Sequence, residues 1–307
     1  MALRDIKRRI KSVKSTAQIT KAMEVVSATK MRRSQGVALA GRPFALAALD
    51  VLKNISTRIP ADTIIPLLTM REIKTTALVI ITSDRGLAGA FNANVVRLVE
   101  RWMRDHADEA SRVIAVGKKV LAYATNHKIE PVRAFTGFGD YISRDETEPL
   151  AEFLLQGFLD ESWDRVIVFY TNFRTTLKQE TRVIEVLPIH PGKIAEIIQG
   201  ITPEYGKFSH VNGVIPEPKF DYEYAFEPSP ATVLDRLLPT LFKIQMHHVV
   251  LESNASEHSA RMVAMKNASE NAKDLIDELS LQYNKARQAG ITRELTEITA
   301  GSEAISN

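Results

Sequence analysis

The chain keeps a helical apolar period for tens of residues at each of its ends, and two such stretches cannot both be buried inside one small domain. From Leu3 to about Leu52, the residues Leu3, Ile6, Ile10, Val13 and Ala17 alternate steps of three and four, the seam of a coiled coil. The seam then shifts to Ile19, Met23 and Val26, which predicts a stutter in the supercoil. Gly36, Gly41 and Pro43 interrupt the pattern, and Pro60 and Pro66 close it. The second stretch opens at Ser229 or Pro230 and, after Pro239 in its first turns, meets no further proline. Its stripe runs through Leu234, Leu237, Leu241 and Ile244, then Ala260, Ala264, Ala268 and Ala272, then Leu275, Leu279, Ile291, Leu295 and Ile298. At ~1.5 Å per residue the two stretches make rods of roughly 75 and 100 Å.

Between them the period changes. TALVIIT at 76–82 is a short β-branched run and reads as a buried strand. Residues 91–106 read as a helix, 112–117 as a strand, 120–125 as a short helix and 148–160 as another. Residues 164–173 and 181–189 are two further strands, and the short link from Arg174 to Glu180 makes that pair antiparallel. Strands alternating with helices predict a mostly parallel α/β sheet. The expected division is an N-terminal coiled-coil helix (1–58), a central α/β domain (75–210), a connector (211–229) and a C-terminal coiled-coil helix (230–307). No role attaches to 55–75. Because the rods flank the central domain and each needs an apolar partner, they are expected to pair antiparallel, a two-helix shaft on a globular foot. The longer C-terminal helix should overhang as a single tip.

Charge is unevenly placed. Residues 1–35 carry ten basic and two acidic residues in a chain of net charge +3, so the remainder is mildly acidic. A basic arm of this kind needs an acidic partner: nucleic acid, an anionic membrane or another protein. Base-stacking aromatics are absent from residues 1–43, and residues 4–35 hold no Trp, Phe or Leu for a membrane face. The chain has no cysteine, so disulfides, thiolate metal sites and cysteine nucleophiles are excluded. The N-terminus is charged from Arg4 onward, and no stretch approaches the roughly 20 apolar residues that span a bilayer, so a soluble cytoplasmic protein is expected.

Chemical candidates are few. SDRGLAGAFN at 83–92 follows a strand and enters a helix, where a phosphate loop would lie, yet neither glycine fingerprint is present. Gly137-Phe138-Gly139 lacks a third glycine. His247 and His248 are adjacent on a helix and point about 100° apart, so they read as one seam and one solvated residue rather than as a metal pair. No nucleophile elbow occurs, and the carboxylates are scattered. No catalytic, cofactor or metal site is expected.

IKRRIKSVKSTAQITKAMEVVSATKMRRSQ (6–35), SDRGLAGAFN, ARMVAMKNASENA (260–272) and YNKARQAGITRELTEITAGSEAI (283–305) resemble, in that order, the γ subunit of F-type ATP synthases. The resemblance spans nearly the whole chain, and its I-T-x-E-x-x-E-I-x-x-G run is specific to that family. It implies an antiparallel coiled coil of the terminal helices, a central Rossmann-like α/β domain, and a non-catalytic rotor that links proton-driven c-ring rotation to the nucleotide chemistry of the α/β hexamer. The implied partners are the α, β and ε subunits and the c-ring, with no nucleic acid or small-molecule substrate. The implied location is the cytoplasmic face of the plasma membrane. The implied β contacts are Met23, Lys30, Arg32, Arg33, Arg261, Gln288, Thr292, Glu294 and Glu297. The apolar side of 18–35 would pack on the C-terminal helix and its basic side would meet acidic β loops. FDYEYAFEP (220–228) resembles the segment facing the c-ring, which makes Tyr224, Phe226 and Glu227 ring or ε contacts. The family's G-L-C-G turn reads Gly86-Leu87-Ala88-Gly89 here, and the chloroplast cysteine insertion is missing, so thiol control is excluded. An α/β nucleotide-binding enzyme oligomerised through its helices, and a basic coiled-coil nucleic-acid tether, are the alternatives.

Overall fold

The computed structural model describes residues 3–40, 47–48, 51–52, 54–55, 65–139, 142–190 and 225–306. Gly41, Pro43, Pro60, the prolines between 191 and 224, and Tyr224 lie outside the described residues. In chain order the main elements are α1 (Leu3–Ala40), β1 (Thr75–Ile81), α2 (Phe91–Asp105), β2 (Ala110–Val116), α3 (Lys118–Asn126), β3 (Arg133–Phe135), α4 (Arg144–Leu159), β4 (Arg165–Phe173), β5 (Gln179–Leu187) and α5 (Pro230–Ser306). The chain divides into two compact units, residues 1–26 with 262–307, and residues 27–261.

The larger unit is built on one sheet in the order β3-β2-β1-β4-β5. β1 pairs parallel with β2 and β4, β2 parallel with β3, and only β5 runs antiparallel, against β4. That is the mixed sheet the strand period predicts. Alternation along β1 sorts its side chains to two faces. Leu78 and Ile80 face Val95 and Val99 of α2 and Val120 of α3. Ala77, Val79 and Ile81 join Leu150 and Leu154 of α4 and Leu238, Leu241 and Phe242 of α5. Both faces are covered, so the strand is apolar throughout, as parallel sheets require. Each such side chain taken fully out of water contributes about 1.5–3 kcal/mol.

Local details differ from the sequence reading, each for a physical reason. Helix α4 begins at Arg144 rather than 148 because Ser143 and Glu146 form a capping box. Ser143 Oγ accepts from the Glu146 amide at 3.3 Å, and Glu146 accepts from the Ser143 amide at 2.6 Å. Gly157 sits inside this helix because a Cβ there would lie 2.0 Å from the Trp163 ring, which packs flush on the backbone. Strand β3 has three residues, too few to carry a period of their own, so it is defined by its pairing to β2. Within 55–75, Ile65 and Leu67 are buried around a short 3₁₀ turn (Pro66–Leu68), and the Leu67 carbonyl accepts from the Ile189 amide at 2.7 Å.

In the smaller unit the two helices form an antiparallel pair. A Cβ on Gly290 would lie 3.8 Å from Leu3 Cδ1, which sets their register at the N-terminus of α1. Ile6, Met265, Ala272 and Leu279 are buried here. Beyond Gly290, Ile291, Leu295 and Ile298 are exposed although the apolar stripe included them, because α1 begins opposite Gly290 and the longer helix overhangs earlier than its smooth tip.

The stutter in α1 does not occur. The covered positions continue in unbroken steps of three and four from Val13 through Ala17, Thr20, Glu24, Ser27, Met31 and Ser34. Ile19 and Val26, assigned to the seam by their hydrophobicity, are 57% and 50% exposed, and Val25 also faces out, whereas Ser27 is 2% exposed. Inner positions are set by where the helix spacing places them and not by residue type, so Ser27 and Ser34 are buried while Ile19 and Val26 are not. In the larger unit, Ser34 Oγ donates to Asn254 Oδ1 of α5 at 2.8 Å, and Met31 packs on Ala255 and Phe173.

Candidate functional site

The place in the larger unit where an α/β protein would hold a nucleotide is the crevice at the carboxyl ends of its parallel strands. The backbone there is prepared for an anion. Gly117 precedes α3 with φ 94°, and a Cβ at this position would lie 2.2 Å from the Thr82 carbonyl oxygen, so only glycine permits the close approach. The first three amides of α3, which have no partner within the helix, converge on the end of β1. Each is already bonded by the chain itself. Lys118 N–H donates to Asp84 Oδ1 at 2.8 Å, Lys119 N–H to the Ser83 carbonyl at 3.1 Å, and Val120 N–H to Thr82 Oγ1 at 2.9 Å. The other Asp84 oxygen accepts from the Gly137 amide at 2.7 Å. The Asp84 carboxylate thus sits where a bound phosphate would sit, ties the end of β1 to α3 and to the loop after β3, and has the charge that a helix N-terminus favours.

The remainder of SDRGLAGAFN is held from both sides. Ser83 bonds Asn92 and the Arg85 carbonyl. Arg261 of α5 donates to the Gly86 carbonyl at 3.2 Å, to the Arg85 carbonyl at 3.3 Å and to Glu257 at 2.5 Å. Arg261 is buried. Its guanidinium fixes the glycine turn to the helix, a different use from the β contact that the resemblance implied for it.

Of the adjacent histidines, His248 is buried and His247 half-buried, so neither is the fully solvated residue that the spacing suggested, because α5 is covered on more than one side along this stretch. His248 is buried with Nε2 3.4 Å from Glu252. His247 Nδ1 lies 3.0 Å from Thr147 Oγ1. Burial, then the neighbouring His248 and Arg144, push the His247 imidazole down to about 4 against the pull of Glu146. Among the described residues no group of three or more His, Cys, Asp or Glu is placed to hold a metal ion, and no helix is long and apolar enough to cross a membrane.

The residues named from the resemblance fall in both units. Met23 is half-buried on α1, and Gln288, Thr292, Glu294 and Glu297 are exposed on α5 in the smaller unit. Thr292 Oγ1 donates back to the Gln288 carbonyl at 3.0 Å, and Glu297 pairs with Arg293 at 2.8 Å. In the larger unit Lys30 is half-buried, while Arg32 and Arg33 are exposed. Phe226 packs against the main core, and Glu227 is exposed. What the sequence reading missed is that Ile19, Val25 and Val26 are exposed on α1 in the smaller unit. Counting the seam forward from Val13 in strict steps, whatever the residue type, would have found it.

The chain thus combines an antiparallel helix pair in one unit with an α/β unit whose strand-end amides are bonded by its own Asp84 carboxylate. The comparisons with known proteins supply the family. The sequence matches the ATP synthase family over residues 2–305. It is 39% identical to the ATP synthase gamma chain of Moorella thermoacetica over 303 residues, 99% of each chain. In fold it is similar to a chain of the Euglena gracilis mitochondrial ATP synthase rotor, with TM-score 0.60 and 20% identity over 94% of this chain and 98% of that one. It also resembles a chain in a structure of the same enzyme's OSCP, F1 and c-ring, with TM-score 0.63 and 19% identity over 99% and 94% of the two chains. The chain belongs to the ATP synthase gamma-chain family and is a non-catalytic stalk subunit of that complex.

Proposed function

We propose that this subunit transmits torque: proton flow turns a c-ring, the chain turns with it, and its uneven surface drives the catalytic β subunits through their states in sequence. Its partners are the α, β and ε subunits and the c-ring, and it works at the cytoplasmic face of the plasma membrane as a peripheral part of the complex. The observation that carries this reading is the outward side of α1. Ile19, Val25 and Val26 of the smaller unit stay exposed, although a helix with a free choice would bury them, and in the larger unit Arg32 and Arg33 are exposed as well. Such a surface fits a partner with an apolar centre and an acidic rim. Basic side chains suit a contact that must form and break in every cycle, because exposed ion pairs are each worth only about 0–1 kcal/mol. Lys30, Arg32, Arg33, Met23, Gln288, Thr292, Glu294 and Glu297 are the proposed β contacts. Arg261 acts from behind, by holding the glycine turn. Phe226 and Glu227 are proposed ring or ε contacts.

The test is reconstitution with α, β, ε and the membrane sector. Changing Arg32 and Arg33 together to Glu should lower ATP-driven proton pumping per ATP hydrolysed while leaving assembly intact. Unchanged pumping would refute the contact. A cysteine at Glu227 should crosslink to subunit c or ε, and a product with β alone would overturn that assignment.

A further inference from the structure

Besides the seat filled by Asp84, the carboxyl ends of β1, β2 and β3 border a cavity of about 310 Å³. That is the lower end of the range for small-molecule sites, roughly 300–1,000 Å³. Ile81, Val116, Ile142 and Val250 give it apolar walls, and α5 closes one side. Ser253 of α5 lines it at 2% exposure, and its Oγ has no hydrogen-bond partner. Elsewhere on α5, helix hydroxyls return to the carbonyl four residues back, as Ser280 does to Ile276 and Thr292 to Gln288. Ser253 does not, and a buried hydroxyl without a partner is disfavoured unless something else bonds it.

The charges around the opening are unequal in availability. Both lining carboxylates are engaged within the chain, Asp84 by two backbone amides and Glu257 by Arg261. Arg85 and Lys118 line the same cavity, are exposed, and form no ion pair with a described residue. The open charge is therefore positive at the mouth, with a hydrogen-bonding group deep inside and apolar surface between.

We propose that this crevice binds a small organic monoanion with a ring-sized apolar body, its acid group on Arg85 and Lys118 and a hydroxyl or similar substituent on Ser253. Nucleotides are excluded, because the phosphate seat beside it is held by Asp84. The proposal stands independently of the rotor reading, since it uses only groups of the α/β unit and the part of α5 packed on it.

The test is titration of the full-length chain with 4-hydroxyphenylacetate and, as a probe lacking the hydroxyl, phenylacetate, followed by calorimetry or ligand-observed NMR. The hydroxylated probe should bind saturably at one site, about three- to tenfold tighter than phenylacetate, the worth of one hydrogen bond. Ser253→Ala should bring the two probes to equal affinity without destabilising the free chain, since it removes a hydroxyl that bonds nothing. Ser253→Leu, which fills the cavity, should abolish both, and Arg85→Ala with Lys118→Ala should weaken both about equally. Absence of saturable binding by about 10 mM, a very weak affinity on any scale, would overturn the proposal. So would unchanged binding to Ser253→Leu, or displacement of the probe by ATP.

Discussion

Replacing Asp84 with Ala removes the acceptor of two backbone amides, those of Lys118 at 2.8 Å and Gly137 at 2.7 Å. A hydrogen bond to a charged group contributes about 1.5–3 kcal/mol, and a half-exposed one falls at the low end. A carboxylate at a helix N-terminus adds about 0.3–1 kcal/mol. The sum predicts a loss of about 3–4 kcal/mol in the α/β unit. For a unit of this size that is roughly 6–15 °C in its melting midpoint, at about 2–4 °C per kcal/mol. Asp84→Asn keeps one acceptor but turns an amide against the Gly137 N–H, so it should lose about half as much. The assay is thermal or urea unfolding of the full chain, followed by near-ultraviolet signal from Trp102 and Trp163 in the α/β unit. A second arm makes the argument specific. Once Asp84 is gone, the vacated amides should accept inorganic phosphate. At a free concentration about ten times its Kd, phosphate then restores about 1.4 kcal/mol by linkage. The parent chain should gain nothing beyond a general salt effect. Wild-type stability in Asp84→Ala, or equal phosphate stabilisation of both chains, would refute the claim that this carboxylate occupies an anion seat.

Three other outcomes follow from the packing. Met31→Ala should cost about 2–4 kcal/mol because it opens a cavity against Phe173 and Ala255, whereas Val26→Ala should stay within about 0.5 kcal/mol in the same unfolding experiment. Gly117→Ala should lower soluble yield and cost at least about 3 kcal/mol, since a Cβ there overlaps the Thr82 carbonyl and the backbone stands at φ 94°. His247 has a folded-state pKa depressed to about 4, so the stability it confers is present above the unfolded value near 6.5 and is lost as pH falls toward 4. His247→Asn, which can still bond Thr147, should therefore flatten the decline of unfolding free energy between about pH 6.5 and 4, and an unaltered slope would contradict the assignment.

Much of this molecule was legible from one-dimensional period. β1, β2, β4 and β5 announced themselves by short β-branched runs, and the seven residues from Arg174 to Glu180 imposed an antiparallel return of β5 on β4. The helices α1 and α5 were legible by their length and, past Pro239, by the absence of proline, but Ile291, Leu295 and Ile298, assigned to the apolar stripe, are exposed. The candidate site was far less readable. Ser27 and Ser34 look like surface residues, and Ile19 and Val26 look like core. The helix spacing reverses those roles, because the angle at which a side chain leaves the helix, and not its hydrophobicity, decides whether it faces the partner.

The class of the chain can be read from periodicity, which is local, because each helix or strand records which of its sides is buried. The roles of Asp84, Arg261 and Ser253 come from the assembled fold alone. Asp84 meets the Gly137 amide, 53 residues away, because the order β3-β2-β1 brings their loops together. Arg261 reaches Gly86 across 175 residues because α5 lies against the end of β1. A side chain's partner at such separations is set by the folding of the whole unit, and no spacing along the chain encodes it.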